Sequence, residues 1–382
     1  MALENNGGEN NGGNTTTRDS DLLTRAECNA LRGIAILGIF LHNYCHWLNP
    51  VVKENEYQYF QRNVDWLTQC IAGAGSLLPC HLISFFGHYG VPVFLFLSAY
   101  GLERKYGGRP GPTLEDNRVA PLPFIRYHYL KLFKMMIVGF ISFTIIDAIT
   151  PGSWKYNVQQ IVGQLLMINN WYPNPDDNIW PGPFWFFGLM LQLYVVYRLF
   201  LYRRHWGWTV ALMVVCTGVQ LLMAPEGETL NYWRYNFMGG MLPFGLGLLF
   251  ARYGEKIMIV RLNFGGFLMS WVACSFFIVS ASESFYTWTI VPALICYASV
   301  YLVKSIDHLP WAGLRGWIWY ALSWMGNISA ALFVIHPVLR KIFIPISRRG
   351  DVYTGLLLYA IASLGVAWLV MKVMKKIPNP KL

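Results

Sequence analysis

The residues best suited to chemistry lie in one apolar stretch, residues 31–47. Arg32 stands at its start, and two histidines, His42 and His46, follow further along. Ionisable side chains are costly in hydrocarbon, so in a membrane span they face a protein interior or a wet cavity and usually mark function. On an ideal helix His42 lies about 15 Å along the axis from Arg32, and His46 about 21 Å. One broad face carries Arg32, Asn43 and His46, with His42 at its edge; the alternative is that the histidines bond backbone carbonyls and the arginine snorkels.

A second set of charges opens a later apolar stretch, where Arg126 is followed by Lys131 and Lys134. The two lysines are about one helical turn apart and reach about 12 Å beyond Arg126. Such a row of cations, sinking from the membrane surface, favours a ligand that carries phosphate. Snorkelling accounts for Arg126 but is strained for Lys134.

These residues sit in a chain of 382 residues that is 55% hydrophobic and 13% charged, where soluble domains have about 25% charged residues. The composition predicts an all-α integral membrane protein. The net charge of +10 comes from short Lys/Arg clusters between apolar runs, as in cytoplasmic loops, so it does not indicate a nucleic-acid partner.

Ten apolar runs of about the length needed to cross a bilayer predict a bundle of about ten transmembrane helices. Residues 1–24 are expected to form a disordered cytoplasmic tail, 25–376 the membrane domain and 377–382 a second cytoplasmic tail. The distribution of Lys and Arg predicts that both termini are cytoplasmic. The predicted spans are 30–48, 82–103, 127–149, 184–202, 207–223, 237–253, 264–281, 286–303, 325–346 and 352–372.

Two features do not fit a plain bundle. Arg340, Lys341 and the pair Arg348-Arg349 fall on the outer side of this topology, so either the ninth span is displaced or these cations bind an anionic ligand or lipid headgroup. Of the seven cysteines, only Cys70 and Cys80 share an outer loop, where a disulfide could form in an oxidising compartment. No Cys/His spacing indicates a metal site.

Five motifs, in order, resemble the integral-membrane acyltransferase family 3. They are Arg32-Gly33-Ile34-Ala35-Ile36 with its later histidine; Gly90-Val91-Pro92-Val93-Phe94-Leu95-Phe96-Leu97-Ser98-Ala99-Tyr100; Arg126 with its lysines; Trp185-Phe186-Phe187-Gly188-Leu189-Met190-Leu191-Gln192-Leu193-Tyr194; and Ile328-Ser329-Ala330-Ala331-Leu332-Phe333-Val334-Ile335-His336-Pro337. The resemblance runs from about residue 25 to about residue 372.

The resemblance implies a ten-helix bundle that moves an acyl group, often acetyl, from acyl-coenzyme A to a hydroxyl of an extracytoplasmic glycan or glycolipid. It implies a multi-pass protein of the bacterial cytoplasmic membrane, in contact with membrane lipid. It also makes Arg32 and His42 the critical pair, although the family usually places the histidine at the position of Asn43. His46 is the alternative base, and no carboxylate in the spans is placed to orient either histidine.

Roles for the remaining residues follow from what acyl transfer requires. A neutral imidazole takes the proton of the attacking hydroxyl, and Asn43, Ser98 or Tyr194 is expected to stabilise the oxyanion. Arg32, Arg126, Lys131 and Lys134 are expected to bind the phosphates of acyl-coenzyme A, which is a substrate, with no resident cofactor or metal. Substrate contacts are further expected from Trp185, Gln192 and His336, and His336 could instead be the base or be structural.

Two other classes of function compete. A secondary transporter or glycan exporter would use the histidines as a proton relay, but carboxylates are few in the spans and Asp147 is the main candidate. A structural scaffold for envelope assembly would need neither the histidines nor the cations.

Overall fold

A computed structural model describes residues 22–108, 119–259 and 261–381, and these residues fold into helices joined by loops, with no β-strand among them. Most of the predicted first tail, up to residue 21, lies outside the described residues. The helices are α1 (Arg25–Cys45), α2 (Gln61–Gly73), α3 (Leu78–Phe86), α4 (Gly90–Tyr106), α5 (Pro121–Ile149), α6 (Val158–Leu166), α7 (Pro175–Asn178), α8 (Trp185–Val196), α9 (Trp206–Leu221), α10 (Glu228–Tyr235), α11 (Phe237–Ile257), α12 (Phe264–Ala281), α13 (Phe285–Trp288), α14 (Val291–Asp307), α15 (Ala312–Arg348) and α16 (Val352–Lys376).

Every one of the ten predicted spans overlaps a helix. By length and composition alone, six helical segments among the described residues could cross a membrane, and α9 is a shorter apolar helix. The prediction of an all-α membrane protein is confirmed, while the count of ten crossings stays a prediction. The six segments are Leu78–Tyr106, Pro121–Ile149, Gly182–Leu201, Phe264–Ala281, Ala312–Arg348 and Val352–Lys376.

Helix α1 carries the arginine and the two histidines, and it packs against α15, α4 and α3. Its start is fixed by a capping box, in which Glu27 N–H donates to Thr24 Oγ1 and Thr24 N–H donates to Glu27 Oε2. The same Glu27 carboxylate pairs with Lys304 at 2.8 Å and so ties α1 to α14. Backbone N–H groups at the start of α1 are therefore hydrogen-bonded within the capping box. Its two ends are called here the Arg32 end and the His46 end.

Close helix approach fixes the position of α1 beside the α3–α4 segment. A Cβ added at Gly90 would lie 2.3 Å from the carbonyl oxygen of Ala35, and one at Gly87 would lie 2.7 Å from the carbonyl oxygen of Gly38. A side chain at either position would push the backbones apart. Gly87 and Gly90 thus allow this segment to lie close to α1, near the level of His42.

Two long loops cover the His46 end. The loop after α1 contains α2, and the loop between α5 and α8 contains α6 and α7. A group of apolar side chains on α6 stays exposed, as suits a helix that lies against lipid. These side chains are Val158, Ile161, Val162 and Leu166.

The unexpected cations at the end of α15 have individual explanations. Lys341 pairs with Asp147 of α5 and also donates to Gly152 O at 3.1 Å. Arg348 donates to the carbonyl oxygen of Trp47 at 3.2 Å, and Arg340 is buried. Because Asp147 is held by Lys341, it is poorly suited to the proton relay that a transporter would need.

The cysteines form no disulfide. All seven lie in the described residues and all are free. Cys70 lies 3.6 Å from ring nitrogens of His81 rather than against Cys80, so no disulfide closes the outer loop.

Candidate active site

A polar cavity of about 280 Å³ lies at the His46 end of α1. Its walls come from α1, α15, the turn before α4 and the two loops that cover this end of the bundle. Three histidines, two carboxyl groups and one arginine face the same space. The polar and aromatic lining consists of His42, Asn43, His46, Trp47, Asn55, Glu56, Tyr57, His88, Asp176, Trp180, Trp185, Tyr235 and Arg340, with apolar side chains such as Phe186 and Phe333 between them.

His42 is held in one tautomer by the backbone. Its Nδ1 lies 2.8 Å from the carbonyl oxygen of Ser84, and a carbonyl only accepts hydrogen bonds, so Nδ1 carries the hydrogen. The lone pair is therefore left on Nε2. Ser84 is fixed in turn, because its hydroxyl donates to Val52 O at 2.6 Å. A neutral imidazole oriented through its other nitrogen has the arrangement of a general base.

Two further histidines surround His42. The ring centroid of His46 is 5.2 Å away and that of His88 is 5.4 Å away. Nδ1 of His46 and both ring nitrogens of His88 are buried without a hydrogen-bond partner among the described residues. Buried polar atoms are normally satisfied, so these unpaired nitrogens are an exception within the described residues. His88 lies in the second predicted span, two residues before the motif that begins at Gly90, and a lone histidine there gives no signal of its own in the sequence.

Asn43 faces Arg340 rather than a reacting group. Its side-chain nitrogen donates to Ile39 O at 3.1 Å, and Arg340 Nη1 lies 3.3 Å from its Oδ1 and 3.4 Å from its backbone oxygen. The amide hydrogens of Asn43 point back to the helix, so the geometry favours a positioning role over oxyanion stabilisation. The guanidinium of Arg340 lies over the ring of Trp47, 4.6 Å from its centroid.

Two carboxyl groups that sequence reasoning missed enter the cavity from its loops. Asp176 accepts from Asn231 Nδ2 at 2.6 Å and from the hydroxyl of Tyr235. Glu56 reaches the cavity beneath the loop after α1, where burial raises its pKa to about 7. Neither residue lies in a predicted span, and only the loop fold brings them beside the histidines.

Arg234 fixes the loop that carries Glu56. Its Nε donates to the backbone oxygen of Glu56 and its Nη1 to Gln220 Oε1 at 2.7 Å. The guanidinium also lies 4.2 Å from the centroid of the Trp288 ring. The loop is thus bonded to a rigid part of the bundle.

The neighbouring Glu54 makes stability depend on pH. It is buried, accepts from Asn63 Nδ2 at 2.9 Å, and has a pKa raised by burial to about 8. The folded chain therefore holds this proton from the ordinary carboxyl pKa up to about pH 8, and stability falls as pH rises through that window. We expect Glu54→Gln, which keeps the hydrogen-bond acceptor, to unfold at a higher temperature than wild type by a few degrees at pH 8 and by less at pH 6. Thermal unfolding in detergent measures this.

The control for this prediction is Glu226→Gln. Glu226 is exposed and makes only a surface ion pair with Arg62 at 3.6 Å, so its replacement should leave the pH dependence unchanged. An unchanged pH dependence in Glu54→Gln would contradict the assignment.

Arg32 does not share this space. It lines a separate cavity of about 510 Å³ at the other end of α1, together with Arg25, Arg104 and Tyr100. Of the residues in the predicted catalytic group, the structure therefore joins His42, Asn43 and His46 and separates Arg32 from them. Helix α1 is continuous from Arg25 to Cys45, so the spacing of Arg32 and His42 is that of a regular helix.

The predicted row of cations divides in the structure. Lys131 lies close enough to Arg32 and Lys105 for their charges to interact. Lys134 instead donates to Ile377 O at 2.5 Å and to Asn379 Oδ1 at 3.0 Å in the segment after α16. Arg126 is exposed. The positive field at the Arg32 end thus comes from Arg32, Lys131 and their neighbours, and Lys134 holds the end of the chain in place.

Among the other predicted substrate contacts, only Trp185 lines the cavity with the histidines. Ser98 Oγ and the hydroxyl of Tyr194 are 3.0 Å apart and bond each other. Gln192 donates to Asn236 Oδ1 at 2.8 Å and accepts from Phe237 N–H at 2.9 Å, so it joins α8 to α11. These bonds give Ser98, Tyr194 and Gln192 structural partners.

His336 sits one turn before Arg340 on α15 and is fully buried. Its Nδ1 lies 3.1 Å from Leu332 O, so Nδ1 carries the hydrogen, and Nε2 has no partner among the described residues. Its neighbour Phe333 lines the cavity, whereas His336 itself lies behind that wall. No group of three or more His, Cys, Asp or Glu residues in the described part of the chain could hold a metal ion.

Comparison with known proteins places the chain in a family. The model of the acyltransferase 3 family, described as an acyltransferase domain, matches residues 25–372. No curated protein and no solved structure matches. The matched range begins at the first residue of α1 and ends four residues before the end of α16. The chain therefore belongs to the integral-membrane acyltransferase family 3 and is an enzyme that transfers an acyl group.

Proposed function

We propose that the protein moves an acyl group, in the first instance acetyl, from acyl-coenzyme A to a hydroxyl of an extracytoplasmic glycan or glycolipid. The observation that carries this proposal is the orientation of His42. Its Nδ1–H bonds the Ser84 carbonyl, which leaves Nε2 with a lone pair in a cavity large enough for part of a sugar.

The reaction uses His42 as both base and acid. Nε2 takes the proton of the acceptor hydroxyl as the hydroxyl oxygen attacks the thioester carbonyl. The tetrahedral intermediate then collapses, the carbon–sulfur bond breaks, and the proton passes from Nε2 to the leaving coenzyme thiolate. One ester bond forms, one thioester bond breaks and the histidine ends as it began. His46, one turn along α1, is the alternative base.

The donor approaches from the Arg32 end. The cavity lined by Arg25 and Arg32, with Lys131 nearby, offers the cations that the phosphates of acyl-coenzyme A require. His42 is about 15 Å further along α1, so the acyl arm would extend through the bundle to reach it. The negative phosphates would stay at the Arg32 end.

The acceptor occupies the His46 end. Trp47, Trp180 and Trp185 line the cavity with Asn55 and Asp176, and this mixture of flat rings with hydrogen-bonding groups suits a sugar, which has apolar faces and polar edges. The proposal places the protein in the bacterial cytoplasmic membrane with the Arg32 end inside, so that donor and acceptor meet across the membrane.

Donor binding is the first test. We expect the purified protein in lipid nanodiscs to bind acetyl-coenzyme A in calorimetry, and Arg32→Gln to bind it about tenfold more weakly, because a charge-assisted contact to phosphate is lost. Arg349→Gln removes the same charge from an exposed position at the other end and should bind as wild type does. Failure of the wild-type protein to bind would rule out acetyl-coenzyme A as the donor.

A further inference from the structure

Arg340 is a buried cation without an acidic partner. Arg340 is on α15, and only 5% of the residue is exposed. No carboxylate in the described residues lies within ion-pair distance of it, whereas the neighbouring Lys341 has Asp147. Among the described residues its hydrogen bonds go only to Asn43, through one nitrogen, at 3.3 and 3.4 Å.

Burying a guanidinium without an acidic partner costs free energy. A guanidinium has five N–H donors, and taking an unpaired charge out of water costs several kcal/mol that neutral partners only partly offset. The contact with the Trp47 ring recovers some of this energy. Most of the hydrogen-bonding capacity of Arg340 remains available to whatever enters the cavity that it lines.

The position of Arg340 places it on the acceptor side of His42. It contacts Asn43 and Trp47, which lie further toward the His46 end of α1 than His42 does. Arg348, also without an acidic partner among the described residues, lies on the same Trp47 ring, 5.7 Å from its centroid. The donor thioester would reach His42 from the opposite end. The two guanidinium groups therefore border the route of the acceptor rather than that of the donor.

We propose that Arg340 binds an anionic group of the acceptor, so that the preferred acceptor is a sugar bearing a phosphate or a carboxylate rather than a neutral sugar. This proposal rests on the proposed acyl transfer and narrows its acceptor class. The shared chemistry is an oxyanion that accepts two parallel N–H bonds from one guanidinium. Its two sources are the phosphate of a lipid-linked or phosphorylated sugar and the carboxylate of an acidic sugar.

The carboxyl groups of the cavity leave room for such an anion. The Asp176 carboxylate, on α7, already accepts hydrogen bonds from Asn231 and Tyr235 of α10. The backbone oxygen of Glu56 accepts a hydrogen bond from Arg234. Both carboxyl groups therefore belong to the segments that cover the His46 end, whereas Arg340 is on α15. A ligand that lays its anion on Arg340 can turn neutral hydroxyls toward His42 and Glu56.

The test is binding, measured without turnover. Glucose 1-phosphate, glucuronic acid and glucose are titrated into the full-length protein in nanodiscs by calorimetry. We expect at least one anionic sugar to bind ten times or more tighter than glucose, as charge-assisted hydrogen bonds allow. Tighter binding of glucose 1-phosphate identifies the phosphate source, and tighter binding of glucuronic acid identifies the carboxylate source.

Variants decide whether Arg340 is responsible. In Arg340→Gln the preference for the anionic sugar should disappear while glucose binding is kept, Arg340→Lys should keep part of the preference, and Arg349→Gln should keep all of it. Equal binding of the three sugars by wild type, or an intact preference in Arg340→Gln, overturns the proposal. If Arg340→Gln fails to fold, the salt dependence of wild-type binding decides, because only binding of the anionic sugar should weaken with salt. Acetyl-coenzyme A binding tests the proposed function separately.

Discussion

His42→Ala is expected to lower kcat about 10³-fold, within the range that a positioned general base contributes. Of the histidines at this end of α1, His42 is the one whose Nδ1 is fixed by a hydrogen bond to the Ser84 carbonyl. Its Nε2 is thereby left for the substrate, and the variant loses this base. The KM for acyl-coenzyme A should change little, because the phosphate-binding residues lie at the Arg32 end. Transfer of labelled acetyl groups, with the product read by mass spectrometry, measures both constants.

Two matched variants give this result its meaning. His46→Ala and His336→Ala each remove another imidazole. Nδ1 of His46 has no hydrogen-bond partner in the described part of the chain that would fix its tautomer, and His336 does not line the cavity, so we expect losses of about tenfold or less. Thermal unfolding of each variant separates lost chemistry from lost fold. Full activity of His42→Ala would remove the central proposal, and a large loss confined to His46→Ala would make His46 the base.

The parts of the site that sequence could predict are those on one helix. A helix has a fixed rise and rotation, so the grouping of His42, Asn43 and His46 followed directly from their spacing. The same arithmetic put Arg32 on their face, but a shared face does not give a shared cavity. Arg32 and His42 are about 15 Å apart along the axis, and they line separate cavities at the two ends of α1.

The parts that sequence could not predict depend on how loops and distant helices meet. Glu56 and Asp176 lie outside the predicted spans, and their approach to the cavity of His42 depends on contacts between distant segments, such as the hydrogen bond from Arg234 to the Glu56 backbone. The prediction that Lys134 binds the same phosphate-bearing ligand as Lys131 failed for the same reason. Its spacing from Lys131 suggested a common ligand, but the segment after α16 satisfies it instead.

Arg340 was visible as an anomaly and not as a site. The charge pattern placed it with Lys341 on the outer side, and an anionic ligand was one of two explanations for both residues. Only the packing separates them, since Asp147 neutralises Lys341 and nothing among the described residues neutralises Arg340. A single sequence does not show which side chains of helices far apart in the chain form ion pairs with each other.

Gly87→Ala is expected to lower kcat about 100-fold while leaving a folded protein. An alanine Cβ at position 87 would lie 2.7 Å from both the carbonyl oxygen of Gly38 and Cβ of His42, far closer than atoms can pack. The turn before α4 must then move away from α1, and Ser84, which orients His42, belongs to the same segment. A displacement of about 1 Å at the base is enough for a loss of this size.

The matched control for this substitution is Gly365→Ala on α16, where an added Cβ meets nothing within 4 Å. It should keep wild-type kcat, and its helix should be slightly more stable, as alanine favours helix over glycine. Gly87→Ala should also unfold more easily, by about 1–3 kcal/mol, as overpacked sites do. A Gly87→Ala protein with wild-type kcat would show that the contact between α1 and the turn at Gly87 does not set the position of His42, and the orientation of the base would then have to come from the Ser84 hydrogen bond alone.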